Sequence, residues 1–290
     1  MTTHHRTIQV NGHEIFYREA GAADAPVILL LHGFPTSSHM FRNLIPLLAG
    51  QYRVIAPDHL GFGYSAMPSA DEFEYNFATL ATMTTAFTEA LGLSSYAVYG
   101  QDYGAPIAWR MALAHPERIT AVITQNGNAY EDGLVERMWS DVHAYAEDPS
   151  PENARAVATM QSPELVKWQY LHGVPDPTLV SPDTWTHDLA LLARPGAERV
   201  QLDIIRSYVD NFRLYPKFQE YFRTSQVPLL ATWGEFDEIF PPAGAKAFAR
   251  DLPDAEIHLL PTGHFALETH ATEIAELILD FLARRLPARN

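Results

Sequence analysis

Apolar residues arrive in this chain in two alternating rhythms. Pro26-Val27-Ile28-Leu29-Leu30-Leu31 is a continuous apolar run that stops at His32-Gly33. A run without polar alternation predicts a strand buried on both faces, as in a parallel sheet covered by helices. Ahead of it, Thr7 to Gly21 reads as a hairpin, because Asn11-Gly12 is the favoured pair for a tight primed turn between alternating residues. Arg53 to Pro57, Tyr96 to Tyr99, Ala121 to Thr124, Val227 to Trp233 and Glu256 to Leu260 predict further strands. Helical spacing falls between them. Ser38 to Leu48 predicts a short helix, and Ala105 to Ala114 another. Asn76 to Leu91 places Leu80, Met83, Phe87 and Leu91 on one face and stops at Gly92. A last helix carries Ile274, Leu277, Ile278, Phe281 and Leu282 on one apolar face. The alternation predicts the α/β class, with a mostly parallel, doubly wound sheet.

The rhythm breaks from about Asn128 to Thr224. That stretch has no buried-strand signal, is rich in aromatics, and is interrupted by prolines from Pro149 to Pro216. It reads as several short helices inserted between strands. The predicted organisation is a split core, residues 1–127 and 225–290, with a helical cap at 128–224. A ligand site is expected under the cap, at the C-terminal ends of the strands.

Composition narrows the function. With 47% apolar and 19% charged residues, the 290-residue chain can bury a sizeable core. A formal net charge of -15 argues against nucleic acid and anionic membranes as partners. The absence of cysteine removes disulfides, thiolate metal sites and cysteine nucleophiles together. The 13 histidines show no metal-ligand spacing, so no metal or other cofactor is expected. Met1 to Val10 has no apolar signal region, and the run at Val27 to Leu31 is too short to span a bilayer. A cytoplasmic protein is the expectation; oligomeric state is not readable.

The sharpest chemical signal is Gly100-Gln101-Asp102-Tyr103-Gly104, between a predicted strand and a predicted helix. A glycine-rich turn whose Asp caps a helix is the plainer reading of these five residues. The alternative is a nucleophile elbow, G-x-Nuc-x-G, with Asp102 in the place of the usual serine. Three other strand ends favour the elbow. His32-Gly33-Phe34-Pro35 follows the first buried strand, in the place of an oxyanion loop. Asp237, in Trp233-Gly234-Glu235-Phe236-Asp237, follows the next-to-last strand, and His264, in Thr262-Gly263-His264-Phe265, follows the last. Nucleophile, acid, histidine is the chain order expected around such an elbow. The expected triad is therefore Asp102, His264 and Asp237, with the backbone N–H groups of Phe34 and Tyr103 as the oxyanion hole.

These segments, with APDHLGFGYSAMP at Ala56 to Pro68, WGEFDEIFPP at Trp233 to Pro242 and GHFALE at Gly263 to Glu268, give the whole chain a resemblance. It resembles the α/β-hydrolase branch that holds epoxide hydrolases and haloalkane dehalogenases. The resemblance implies an α/β-hydrolase fold with an inserted cap, acting on a small apolar organic substrate and water. A carboxylate is an anion at neutral pH without help, its unperturbed pKa being about 3.9. It suits backside displacement at saturated carbon, giving an alkyl ester that water then hydrolyses with His264 as base.

Within that branch, an opening epoxide needs acidic O–H donors, usually two tyrosines. By context Tyr208 matches one of them, and Tyr170 is the candidate for the other, with Tyr145 in reserve. A departing halide needs only N–H or O–H donors, and Trp168 lies where a halide-binding tryptophan is expected. Tyr103 departs from both patterns, which usually have tryptophan after the nucleophile. Epoxide opening is the favoured expectation, and carbon–halogen hydrolysis the alternative. A non-catalytic ligand-binding protein on the same fold is a further alternative, but a receptor has no need of all three triad residues.

Overall fold

The computed structural model describes residues 1–286. Strands β1 (His4–Val10) and β2 (His13–Ala20) form the hairpin, and Asn11 and Gly12 both take the positive φ that its tight turn requires. β3 (Val27–Leu31), β4 (Arg53–Pro57), β5 (Tyr96–Gln101), β6 (Ile119–Gln125), β7 (Leu229–Gly234) and β8 (Glu256–Leu260) follow. All eight lie in one sheet of order β1-β2-β4-β3-β5-β6-β7-β8. β2 is antiparallel to β1 and β4, and the six strands from β4 to β8 are mutually parallel.

The period of two along each strand builds two cores, one per face. Leu29, Leu31, Ile55 and Val98 point to one, where α2 (Phe77–Ala90) contributes Leu80 and Phe87, and α3 (Gly104–Ala114) contributes Ile107 and Trp109. Ile28, Leu30, Val54, Ala97 and Tyr99 point to the other, which is covered by α1 (Ile45–Leu48) and α11 (Leu267–Arg285). The helix expected over Ser38 to Leu48 is broken into a 3-10 turn, Ser38–Phe41, and α1. α2 starts where Asn76 and Thr79 cap each other reciprocally, which satisfies two otherwise orphaned N–H groups.

From β6 to β7 the chain makes helices only. They are α4 (Glu136–Glu147), α5 (Pro151–Ala158), α6 (Pro163–Leu171), α7 (Asp183–Leu192), α8 (Ala197–Arg206) and α9 (Val209–Ser225), with 3-10 turns between. α10 (Pro242–Ala247) links β7 to β8. The end of α9 reaches back to the core, where the Phe222 ring meets Trp109 edge-on at 5.3 Å. We retain 128–224 as the proposed cap. No helix among the described residues is long and apolar enough to cross a membrane.

Candidate active site

Asp102 sits where β5 breaks into α3, with φ at +49°. A side chain in this left-handed region is uncommon and marks a sharply turned backbone. The turn exists because its neighbours lack side chains. A Cβ on Gly104 would run into the Leu31 carbonyl, and one on Gly33 would run into the Asp102 carboxylate. The loop after β3 can therefore close onto Asp102, and the Phe34 N–H donates to Asp102 Oδ1 at 2.7 Å.

Three strand ends bring the rest together. Asp237 lies just beyond β7, and its Oδ2 is 2.8 Å from His264 Nδ1, beyond β8. Asp237 is held by two further donors: Asn126 Nδ2 on Oδ2 and the Ile239 N–H on Oδ1, each at 2.7 Å. The His264 carbonyl accepts from Gln125 Nε2 at 3.0 Å. The far ring nitrogen, Nε2, stands 3.9 Å from Asp102 Oδ2 and 2.9 Å from the Gln101 amide nitrogen. With Nδ1–H committed to the Asp237 carboxylate, Nε2 carries the lone pair and accepts from Gln101.

The electrostatics follow from burial. Burial pushes the Asp102 carboxyl up to about 6, although the His264 charge and the backbone N–H groups of Phe34 and Tyr103 favour its anion. Burial also opposes charge on His264, but the charge and hydrogen bond of Asp237, with Asp102, outweigh it and raise the imidazole above its usual value. His32 has a different part. Burial lowers it to about 4, and its Nε2 accepts from the His59 N–H at 3.0 Å, so it is a neutral brace for the oxyanion loop.

Asp102 opens on a cavity of about 100 Å³. Its wall is mostly apolar, including Phe34, Val142, Ile205 and Ile239, with Tyr103, Trp139, Trp168 and Gln169 as the side chains with donors. The cap aromatics sort as follows. Trp168 is on the wall; Tyr170, Tyr208 and Tyr145 are not. On α6 the residues Leu165, Trp168 and Gln169 share the face turned to the cavity, and Tyr170 falls one step further round the helix. Its ring stacks on Phe265 at 4.0 Å, and its hydroxyl donates to Asp188, so the expectation that it meets the leaving group is corrected. Tyr208 is buried behind the wall, against Trp139 at 4.5 Å and Tyr103 at 5.9 Å. Tyr145 is buried on α4, whose cavity face is Met138, Trp139 and Val142.

Sequence reading missed Gln101, Asn126, Trp139 and Gln169. Gln101 carried a signal, as a polar residue ending the buried strand β5, and Asn126 as the buried polar residue just after β6. The indole N–H of Trp139 is buried without a partner. Among the described residues, no group of three or more His, Cys, Asp or Glu is placed to hold a metal ion.

Comparison with known proteins gives four likenesses. The family described as alpha/beta hydrolase fold matches residues 26–271. An uncharacterized hydrolase of Saccharomyces cerevisiae is 45% identical over 281 residues, which covers 95% of this chain and 96% of the yeast protein. A haloalkane dehalogenase of Mesorhizobium japonicum is 28% identical, covering 92% of this chain and 87% of its own. Among solved structures, an epoxide hydrolase from Vigna radiata superimposes with a TM-score of 0.77 over 97% of this chain and 98% of the other, at 23% identity, a likeness of fold alone.

Proposed function

For a chain that belongs to the alpha/beta hydrolase fold family, and is a hydrolase with a haloalkane dehalogenase relative, we propose hydrolysis at saturated carbon through an alkyl ester on Asp102, with small apolar epoxides as substrates. The observation that carries this reading is the placement of the Asp102 carboxylate. One oxygen is held by the Phe34 N–H at 2.7 Å, the other stands 3.9 Å from His264 Nε2, and the residue lines the cavity.

The reading divides the two oxygens by task. Oδ2 attacks the epoxide carbon from the side opposite the C–O bond, and the ring oxygen leaves with the electron pair and takes up a proton. Oδ1 becomes the ester carbonyl. His264 Nε2 then takes a proton from water, the hydroxide attacks Cγ of Asp102, and the oxyanion on Oδ1 is stabilised by the N–H groups of Phe34 and Tyr103. The ester oxygen departs as the second hydroxyl of a diol, taking the proton from His264. Asp237 holds the imidazole in the required tautomer throughout. An apolar wall suits the substrate, since it offers the ring carbons no competing nucleophile.

A haloalkane is the second reading. It is favoured by Trp168 on the wall, by the unpartnered indole N–H of Trp139 and by the dehalogenase relative. A halide is a weak base and needs N–H donors, not an acid.

One experiment tests both. His264→Gln leaves the attack possible and removes the base for hydrolysis. Incubated with a panel of epoxides and haloalkanes that the wild type turns over, it is expected to accumulate a covalent adduct on the peptide containing Asp102. Intact mass rises by the whole epoxide, or by the haloalkane minus HX. If a substrate turned over by the wild type leaves no adduct, the alkyl-ester reading fails. The same incubation with Asp102→Asn should give none.

A further inference from the structure

The opening of an epoxide needs a proton for the departing oxygen, and neither Tyr170 nor Tyr208 reaches the cavity wall. One phenol does. Tyr103 follows Asp102 directly, is buried, and lines the cavity. Among the described residues its hydroxyl has no hydrogen-bond partner. The Tyr103 ring is fixed by Phe77 edge-on at 5.1 Å, Phe34 at 5.9 Å and Tyr208 at 5.9 Å. A buried phenol that is held rigidly and left without a partner is unusual, because such groups ordinarily find one.

A second feature adjoins it. Tyr103 also borders a satellite cavity of about 10 Å³, which shares Phe34, Met160 and Ile205 with the main one. That is about the room one water needs. Its wall includes Gln201, itself buried, whose amide oxygen has no partner.

We propose that Tyr103 is the catalytic proton donor to the departing epoxide oxygen, and that Gln201 is a positioning residue that holds the Tyr103 hydroxyl through one water in the satellite cavity. The proposal rests on the alkyl-ester reading of Asp102.

The proton balance closes without an outside reagent. The Asp102 Oδ2–carbon bond forms as the ring C–O bond breaks. The oxygen takes the phenol proton and leaves Tyr103 as phenolate. After ester hydrolysis Asp102 emerges as a carboxylic acid, and its proton returns Tyr103 to phenol. Burial and the Asp102 charge hold the Tyr103 phenol well above its usual value, which keeps it protonated until attack. Attack removes that charge from Asp102 and builds it on the oxygen to be protonated, so the phenol becomes a better acid at the moment it is needed.

The test compares rates of adduct formation on His264→Gln, read by intact mass, for an epoxide and an iodoalkane of equal length. Iodide needs no proton. Adding Tyr103→Phe should lower the epoxide-to-iodoalkane rate ratio by about a hundredfold. Gln201→Leu should lower the same ratio severalfold, with rescue by Gln201→Glu or Gln201→Asn. If Tyr103→Phe does not fold, as judged by its melting transition, Tyr103→Trp replaces it. That variant has an N–H but no acidic proton, and the same loss is expected. An unchanged ratio, or equal slowing of both substrates, overturns the proposal and leaves the Asp102 reading standing. A parent His264→Gln that forms no adduct from an epoxide hydrolysed by the wild type overturns the underlying reading. A wild type that hydrolyses no epoxide in the panel overturns the proposal as well.

Discussion

The His264 Nε2 atom is 2.9 Å from the side-chain nitrogen of Gln101, while Asp102 is 3.9 Å away. The lone pair proposed to accept a proton from water is therefore held by an amide N–H, which favours the neutral ring. Removing the donor should make the ring more basic. Gln101→Leu is expected to shift the acid limb of ester hydrolysis upward by roughly half a unit to one unit, as a single hydrogen bond is worth about 1 kcal/mol. Single-turnover decay of the adduct against pH reads this directly. A limb that stays in place would mean that Gln101 only packs beneath the ring.

The alkylation step should have its own pH dependence. Attack needs the Asp102 anion, and burial raises that carboxyl to about 6. The rate of adduct formation on His264→Gln should fall as pH drops through about 6, approaching a tenfold loss per unit below it. That variant also lacks the His264 charge, which favours the anion, so its midpoint should lie at or above the wild-type one.

The same burial predicts a conflict between stability and activity. A carboxyl whose folded pKa is raised from 3.8 to about 6 favours the fold when protonated, and that contribution is lost as pH rises through 6. Asp102→Asn cannot ionise. Above pH 6 it should be more stable than the wild type by about 3 kcal/mol, the gain shrinking to nothing as pH falls toward 4. Denaturant unfolding at pH 8 and pH 4 checks both the sign and the window. Activity should be absent at each.

Much of this was legible because strand ends are legible. Asp102, Asp237 and His264 each stand in the short loop after a strand, beyond β5, β7 and β8, and parallel strands deliver their C-terminal ends to one edge of the sheet. Phe34 was readable for the same reason. Helix rotation in the cap was not. Trp168, Gln169 and Tyr170 are consecutive, yet the first two face the cavity and the third faces the opposite core. Successive residues on a helix are about 100° apart, so an error of one position exchanges a wall residue for a packed one. α6 itself has no strong apolar stripe to fix that rotation. Asn126 could be recognised as a polar residue just after a buried strand, but its bond to Asp237 joins residues 111 positions apart and becomes visible only in three dimensions.

Tyr170 supplies the last test, because its role has moved from chemistry to packing. Its hydroxyl donates to the buried Asp188, whose carboxyl is raised to about 8, chiefly by burial, against hydrogen bonds from Tyr170 and Thr36 that favour the anion. Tyr170→Phe keeps the ring on Phe265 and removes only the donor. The epoxide adduct rate should stay within about twofold of the parent, since the hydroxyl does not reach the cavity. Stability should drop, and by an amount that depends on pH. Below pH 8 the Asp188 carboxyl is mostly neutral and the lost bond costs about 1 kcal/mol, whereas above it the bond is to a buried anion and costs about 1.5–3 kcal/mol. Unfolding free energies at pH 6.5 and pH 9 should therefore show the larger deficit at pH 9. A variant that keeps its stability but loses its epoxide adduct rate would return Tyr170 to the leaving group.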